Sequence, residues 1–297
     1  MKIHLASHYG MCFGVRDAIA QTQEIAEIQS ATVLGELVHN PVVQKKLDAA
    51  GVAIGSLDSK PQEIKSEAVV FTAHGVADSV RNSWAETGKK VFDTTCPLVK
   101  KAHRSLECLV LAGFKPVVIG TRDHVEVRGL ITDFPESIVI IDESEIANIP
   151  GDWQKIGVVS QTTQPVSHVE NLVGKIGESR PEGEVKFIDT VCKPTKNRQQ
   201  ALNELASQCD TVVVVGGNNS NNTRQLANRA SDLGAVAFQV ETADDLKLAW
   251  FAESQHVGVT AGTSTLEETV QEVVAQLEEF TKEKRRLMLF DSLKAIA

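Results

Sequence analysis

Two stretches of this chain repeat each other closely enough to constrain everything else. Phe92-Asp93-Thr94-Thr95-Cys96 aligns with Ile188-Asp189-Thr190-Val191-Cys192, 96 residues later, and each cysteine is followed four positions on by a lysine, Lys100 and Lys196. Cys12 fits the same scheme more loosely: it follows a short apolar strand (Ile3 to Ala6), opens a helical pattern, and has Arg16 four positions on. The likeness continues downstream. After each cysteine come a helix-like stretch and an apolar strand ending in glycine, at Gly35, Gly120 and Gly216, 23 or 24 residues from the cysteine. A further strand follows in each copy and ends in polar residues: Thr72-Ala73-His74, Ser160-Gln161-Thr162 and Gly262-Thr263-Ser264. A repeat of about 90 residues is domain-sized, far longer than a solenoid unit.

Strands alternating with helices predict an α/β fold of mainly parallel sheets, whose ligands bind beyond the carboxyl ends of the strands. The expectation is three similar α/β domains, 1–95 around Cys12, 96–191 around Cys96 and 192–280 around Cys192, with 281–297 as a C-terminal tail. Packed about a pseudo-threefold axis, their strand ends would converge on one central cavity with one cysteine per domain.

Composition narrows the function. A chain of 297 residues can bury ordinary cores. A formal charge of −9 disfavours nucleic acid and anionic membranes, so an anionic ligand must be held by local donors. No stretch reaches the roughly 18 uncharged apolar residues of a membrane span, and the N-terminal residues lack a signal-peptide core, so the cytoplasm is the expected location. Five widely spaced cysteines argue against a disulfide framework and leave metal binding, catalysis or plain burial.

Three thiolates are one short of closing a tetrahedral zinc site or filling every corner of a four-iron cluster, which leaves one metal position open. Each cysteine opens a helix, where N–H groups and the positive dipole end favour a thiolate. An open iron is a Lewis acid able to bind an alcohol and help its C–O bond break. Loss of the hydroxyl also needs a proton. Glu126 is the candidate donor, because a desolvated carboxyl keeps its proton near neutrality, and Thr162 is the candidate relay. His39, His74, His124, Ser220, Asn222 and Ser264 offer many donors with little fixed charge, which suits a diphosphate.

Cys12-Phe13-Gly14-Val15, Val38-His39-Asn40, Ala73-His74-Gly75-Val76, Asp93-Thr94-Thr95-Cys96-Pro97-Leu98-Val99, His124-Val125-Glu126-Val127, Gln161-Thr162-Thr163, Asn197-Arg198-Gln199 and Val259-Thr260-Ala261-Gly262 together resemble the LytB/IspH family, 4-hydroxy-3-methylbut-2-enyl diphosphate reductase. The resemblance runs from Met1 to about Leu277. It implies that Cys12, Cys96 and Cys192 ligate a 4Fe-4S cluster whose unique iron takes the substrate hydroxyl. It further implies that His39, His74, His124, Ser220, Asn222 and Ser264 bind the diphosphate, with Asn221 beside them in the phosphate loop. Glu126 and Thr162 would deliver protons. A ferredoxin or flavodoxin would supply two electrons singly, and isopentenyl and dimethylallyl diphosphates would form.

The chain departs from the family pattern at Phe13, Val125, Pro194, Asn221 and Leu266. Phe13 beside the first ligand would narrow the cavity or repack its wall. Asn221 still donates hydrogen bonds. These departures keep open a divergent reductase of another allylic diphosphate. A non-catalytic iron–sulfur sensor or binding protein is a second alternative, and a zinc site recruiting Cys108 or Cys209 a third. Cys108 and Cys209 otherwise read as core residues, and His4, His8, His103, His168 and His256 as ordinary surface or core histidines. The basic residues Lys282, Lys284, Arg285 and Arg286 read as a solvated helix end.

Overall fold

A computed structural model describes residues 1–296, with side chains described through Leu287. In chain order the elements are β1 (Lys2–Leu5), α1 (Phe13–Ile28), β2 (Ala31–Leu34), α2 (Pro41–Ala49), β3 (Ala53–Gly55), β4 (Ala68–Phe71), α3 (Asp78–Ala85) and β5 (Lys90–Asp93). Then follow α4 (Pro97–Leu111), β6 (Lys115–Ile119), α5 (Val125–Thr132), β7 (Ile138–Ile140), β8 (Lys155–Ser160), α6 (Val166–Glu178) and β9 (Glu184–Phe187). The last group is α7 (Lys193–Ala206), β10 (Thr211–Val215), α8 (Asn221–Asp232), β11 (Val236–Val240), β12 (His256–Ala261) and α9 (Glu267–Ile296).

Among the described residues the strands form three four-stranded sheets, ordered β3-β2-β4-β5, β7-β6-β8-β9 and β11-β10-β12-β1, with every pairing parallel. All three have one topology, and the third is completed by the first strand of the chain. The sequence pattern groups Ile3–Ala6 with the first repeat. The strand instead hydrogen-bonds along β12, with Ile3 opposite Val257 and Leu5 opposite Val259. The segment set apart as a tail at 281–297 continues α9 within its described residues. Its Lys282 pairs with Glu279, and Lys284 donates to the Phe251 and Ser254 carbonyls.

The chain divides into two compact units, Phe13–Lys196 and a unit made of Met1–Cys12 with Asn197 onward. In the first, side chains alternate across the sheet β7-β6-β8-β9 with the two-residue period of a strand. Val117, Ile119, Ile156 and Val158 pack against Val169, Leu172 and Ile176 of α6, while Val118, Val139 and Val159 pack against Leu106 and Leu109 of α4 and Leu130 of α5. In the second unit Val213, Val215, Val257 and Val259 face Val270, Val273 and Leu277 of α9, and Val212 and Val214 face Leu202 and Leu205 of α7 and Leu226 of α8. Burial on both faces is why these strands read as unbroken apolar runs.

Two glycines let the cysteine-bearing helices approach their sheets. A Cβ on Gly157 of β8 would lie 2.9 Å from Leu109 of α4, and one on Gly258 of β12 would lie 2.8 Å from Leu205 of α7. Leu109 and Leu205 each stand thirteen residues after their cysteine, Cys96 and Cys192, so the repeat extends to the helix–sheet contact.

Candidate functional site

The shared topology sorts the candidate residues. In each sheet the first strand of the repeat lies beside the third, and the connections from these two central strands diverge. Their carboxyl ends therefore form the crevice in which open α/β sheets bind ligands. His39 follows β2 and His74 follows β4; His124 and Glu126 follow β6 and Thr162 follows β8; Ser220, Asn221 and Asn222 follow β10 and Ser264 follows β12. The cysteines follow the fourth, edge strand of each sheet: Cys96 after β5, Cys192 after β9 and Cys12 after β1.

Each cysteine is the residue immediately before a helix, α1, α4 or α7, as the sequence predicts. Each is also anchored alike. The Cys96 N–H donates to Ala73 O at 3.1 Å, that of Cys192 to Thr162 O at 3.0 Å, and that of Cys12 to Thr263 O at 3.0 Å. In all three cases the acceptor lies two residues past the end of the third strand. The backbone of each cysteine is thereby tied to the segment that carries the candidate polar positions His74, Thr162 and Ser264.

Within the Phe13–Lys196 unit the three histidines come together. His39 and His74 stack with ring centroids 4.2 Å apart, and His124 meets them edge-on at 5.3 and 5.7 Å. His124 caps α5: its Nδ1 accepts the Glu126 N–H at 3.1 Å, so its neutral ring carries the proton on Nε2. His39 Nδ1 donates to Glu36 Oε2 at 2.7 Å. Burial, with the neighbouring His39 and His124, holds the His74 pKa well below the usual histidine value, so His74 is neutral at pH 7. Its Nδ1 is buried without a hydrogen-bond partner in the chain. An arriving anion reverses these penalties, because it favours the imidazolium.

Glu126, the second residue of α5, is 2% exposed. Its Oε1 accepts the Thr162 N–H at 2.6 Å, and its Oε2 lies 3.0 Å from Thr162 Oγ1. Desolvation raises its pKa to about 7, against the lowering effect of the two bonds from Thr162. An amide can only donate, so Oε1 is committed as an acceptor. Thr162 Oγ1 donates to Oε2 of the ionised carboxylate; in the neutral acid the proton sits on Oε2 and faces Thr162 Oγ1, whose hydroxyl can accept it and donate onward.

In the other unit Ser220 is the N-cap of α8, its Oγ accepting the Thr223 N–H at 3.3 Å. Asn221, Asn222 and Ser264 are buried, and Asn222 Nδ2 is a buried donor with no partner in the chain. A buried unmet donor costs about 1–3 kcal/mol, a cost that an anionic ligand removes. Gly216 and Gly262 make this corner possible: a Cβ on either would lie 2.4 or 2.1 Å from Thr223 Oγ1.

Phe13 is 44% exposed and is not part of the packed core. Cys108 is exposed, whereas Cys209 is buried as expected. Among the described residues no group of three or more His, Cys, Asp or Glu side chains is gathered closely enough to hold a metal ion. No helix among them is long and apolar enough to cross a membrane.

Fold and site together define a class: three-sheet α/β proteins with a cysteine at every sheet-to-sheet crossover and polar side chains at the central strand ends. Residues 3–278 match the family described as LytB protein, and the chain belongs to that family. It is 36% identical over 284 residues to a 4-hydroxy-3-methylbut-2-enyl diphosphate reductase of Pelobacter propionicus, covering 95% of this chain and 99% of the relative. It is 35% identical to the one of Geobacter sulfurreducens, covering 96% and 100%. The fold matches the E-1-hydroxy-2-methyl-but-2-enyl-4-diphosphate reductase of Plasmodium falciparum with a TM-score of 0.85 at 25% identity, covering 92% of this chain and 87% of that one. A second solved (E)-4-hydroxy-3-methyl-but-2-enyl diphosphate reductase matches with a TM-score of 0.66 at 32% identity, covering 94% and 100%.

Proposed function

We propose that this chain is an oxidoreductase that removes the hydroxyl of 4-hydroxy-3-methylbut-2-enyl diphosphate, giving isopentenyl and dimethylallyl diphosphates in the non-mevalonate route to isoprenoids. The observation that carries the reading is the buried Glu126–Thr162 pair, a carboxyl with a pKa of about 7 and a hydroxyl at its acidic proton, in a chain of this family. The balance is two electrons and two protons taken up, a C–O bond broken, a C–H bond formed and water released.

Cys12, Cys96 and Cys192 are the residues that would hold a 4Fe-4S cluster. The thiolate chemistry and the helix-start positions fit it, and Gly14 lacks the Cβ that would lie 2.3 Å from Cys96 Sγ. When bound, the cluster supplies single electrons and a Lewis-acidic iron. The rest belongs to the side chains. Glu126, neutral below about pH 7, gives its proton through Thr162 to the leaving oxygen. His39, His74 and His124 meet the diphosphate with N–H donors, and an anion beside the buried His74 favours its charged form, while Ser220, Asn221, Asn222 and Ser264 add neutral donors. Acidic residues outnumber basic ones, so directional hydrogen bonds, and no broad positive field, select the substrate.

The electron donor is a ferredoxin or flavodoxin, and the reaction takes place in the cytoplasm. In a bacterium depleted of its own 4-hydroxy-3-methylbut-2-enyl diphosphate reductase, expression of this chain restores growth without added isoprenoid precursors, and the Cys96→Ser variant does not. Equal rescue by both, or by neither at matched protein levels, contradicts the reading.

A further inference from the structure

The three cysteine turns share an amide anchor but differ in what holds the residues before it. Before Cys96, Asp93 accepts the Thr95 N–H at 3.0 Å and pairs with Lys100 at 2.9 Å. Before Cys192, Asp189 accepts the Val191 N–H at 3.1 Å and pairs with Lys196. An aspartate three residues ahead of the cysteine thus straps the turn to a lysine four residues behind it. At the matching place before Cys12 stands Tyr9, which has no carboxylate, and the matching Arg16 is exposed. The first copy lacks the strap.

Another side chain takes its place. Arg198, only 6% exposed, directs its guanidinium at the backbone ahead of Cys12: Nε donates to Gly10 O at 3.1 Å, and Nη2 donates to the same oxygen and to Tyr9 O. Gly10 has a φ of +68°, a left-handed turn that suits glycine. Its N–H bonds to Ala261 O at 3.2 Å, and the Tyr9 hydroxyl donates to Glu267 at 2.8 Å. The repeat shows that helix packing does not require an arginine here. Arg198 stands six residues after Cys192, and the residues six after Cys12 and Cys96 are Ala18 and Ala102, 1% and 0% exposed. The threefold pattern is broken where one copy has lost its strap.

We infer that Arg198 is a positioning residue for Cys12, replacing the missing Asp–Lys strap by fixing the Tyr9 and Gly10 carbonyls so that the thiol is held in its turn. This rests on the reading of Cys12 as a cluster ligand. A charged donor bound to two successive carbonyls restricts the turn more than neutral bonds do, and without it the turn opens locally at lower cost.

The test uses the full-length chain with Arg198→Ala, which installs the residue of the other two copies, and Arg198→Lys, which keeps the charge. In the cluster-loaded protein, iron release to a chelator is expected to rise about tenfold in Arg198→Ala and less in Arg198→Lys, in keeping with a local opening made easier. In a Cys12→Ser background the same substitution adds nothing further, because its effect runs through Cys12. In the iron-free chain, alkylation of Cys12 followed by mass spectrometry rises by a similar factor while that of Cys192 is unchanged. An undiminished effect in the Cys12→Ser background, or wild-type alkylation of Cys12 in Arg198→Ala, overturns the inference. Should Arg198→Ala fail to fold, wild-type iron release and alkylation in Arg198→Lys do the same. A wild-type chain that takes up no cluster refutes the functional reading, and the alkylation comparison still decides the role of Arg198.

Discussion

Replacing Glu126 by glutamine is expected to lower turnover by about 100-fold or more while making the protein more stable at alkaline pH. The amide fits where the neutral acid fits: its oxygen accepts the Thr162 N–H, and its NH2 donates to Thr162 Oγ1. What it lacks is a transferable proton. The stability change follows from linkage. Glu126 has a pKa of about 7 in the folded chain against an ordinary value of 4.5, so the folded state holds the proton more tightly than the unfolded one. Protonation therefore favours folding. That advantage is complete below pH 4.5 and is lost as pH rises through 7. The difference amounts to about 3 kcal/mol, an upper bound from the size of the shift. Glutamine has no such dependence, so denaturant unfolding of the two proteins between pH 5 and 8.5 should give curves that diverge with rising pH, the variant being the more stable. Parallel curves would remove the raised pKa, and wild-type turnover would remove the proton-donor role.

The second large effect is expected at Gly14. An added methyl would lie 2.3 Å from Cys96 Sγ and 3.1 Å from Cys96 Cβ, closer than atoms approach without displacement. Cys96 has one side-chain torsion and an anchored amide, so its sulfur can escape only by leaving its position. Gly14→Ala is expected to cost about 1–3 kcal/mol of stability as overpacking and to leave the purified protein with little of its iron and sulfide. Gly174→Ala on α6 is the control, since a Cβ there meets nothing within 4 Å. Full iron content in Gly14→Ala would mean that Cys96 need not stay where the fold sets it.

The alternation of strand and helix, the three glycine-ended strands and the helix starts at the cysteines were legible in the sequence because each is a local pattern. The pairing of β1 was not. A four-residue strand carries no local mark of its partner, and Ile3 bonds beside Val257, far along the chain. The repeat did hold a clue, since the third copy has only three strands of its own and its missing edge strand is supplied by β1. Cys108 reads as core only when helical phase is ignored: Val99, Ala102, Ser105, Leu106 and Leu109 mark the buried stripe of α4, and Cys108 lies off it. The gathering of His39, His74 and His124 was legible only as three histidines after strands, because ring distances depend on loops whose courses no periodicity sets. Arg198 stands within the Asn197-Arg198-Gln199 motif, and nothing in that spacing marks a role for it. Its partners are backbone carbonyls, and a guanidinium bonded to carbonyls leaves no trace in residue spacing.

The measurement that tests the account most directly is reduction of 4-hydroxy-3-methylbut-2-enyl diphosphate by anaerobically prepared protein, its cluster verified by absorbance, with a chemical one-electron donor and identified products. Isopentenyl and dimethylallyl diphosphates are the expected products, with two electrons consumed per molecule formed. An intact cluster that binds the diphosphate yet yields neither product would contradict it.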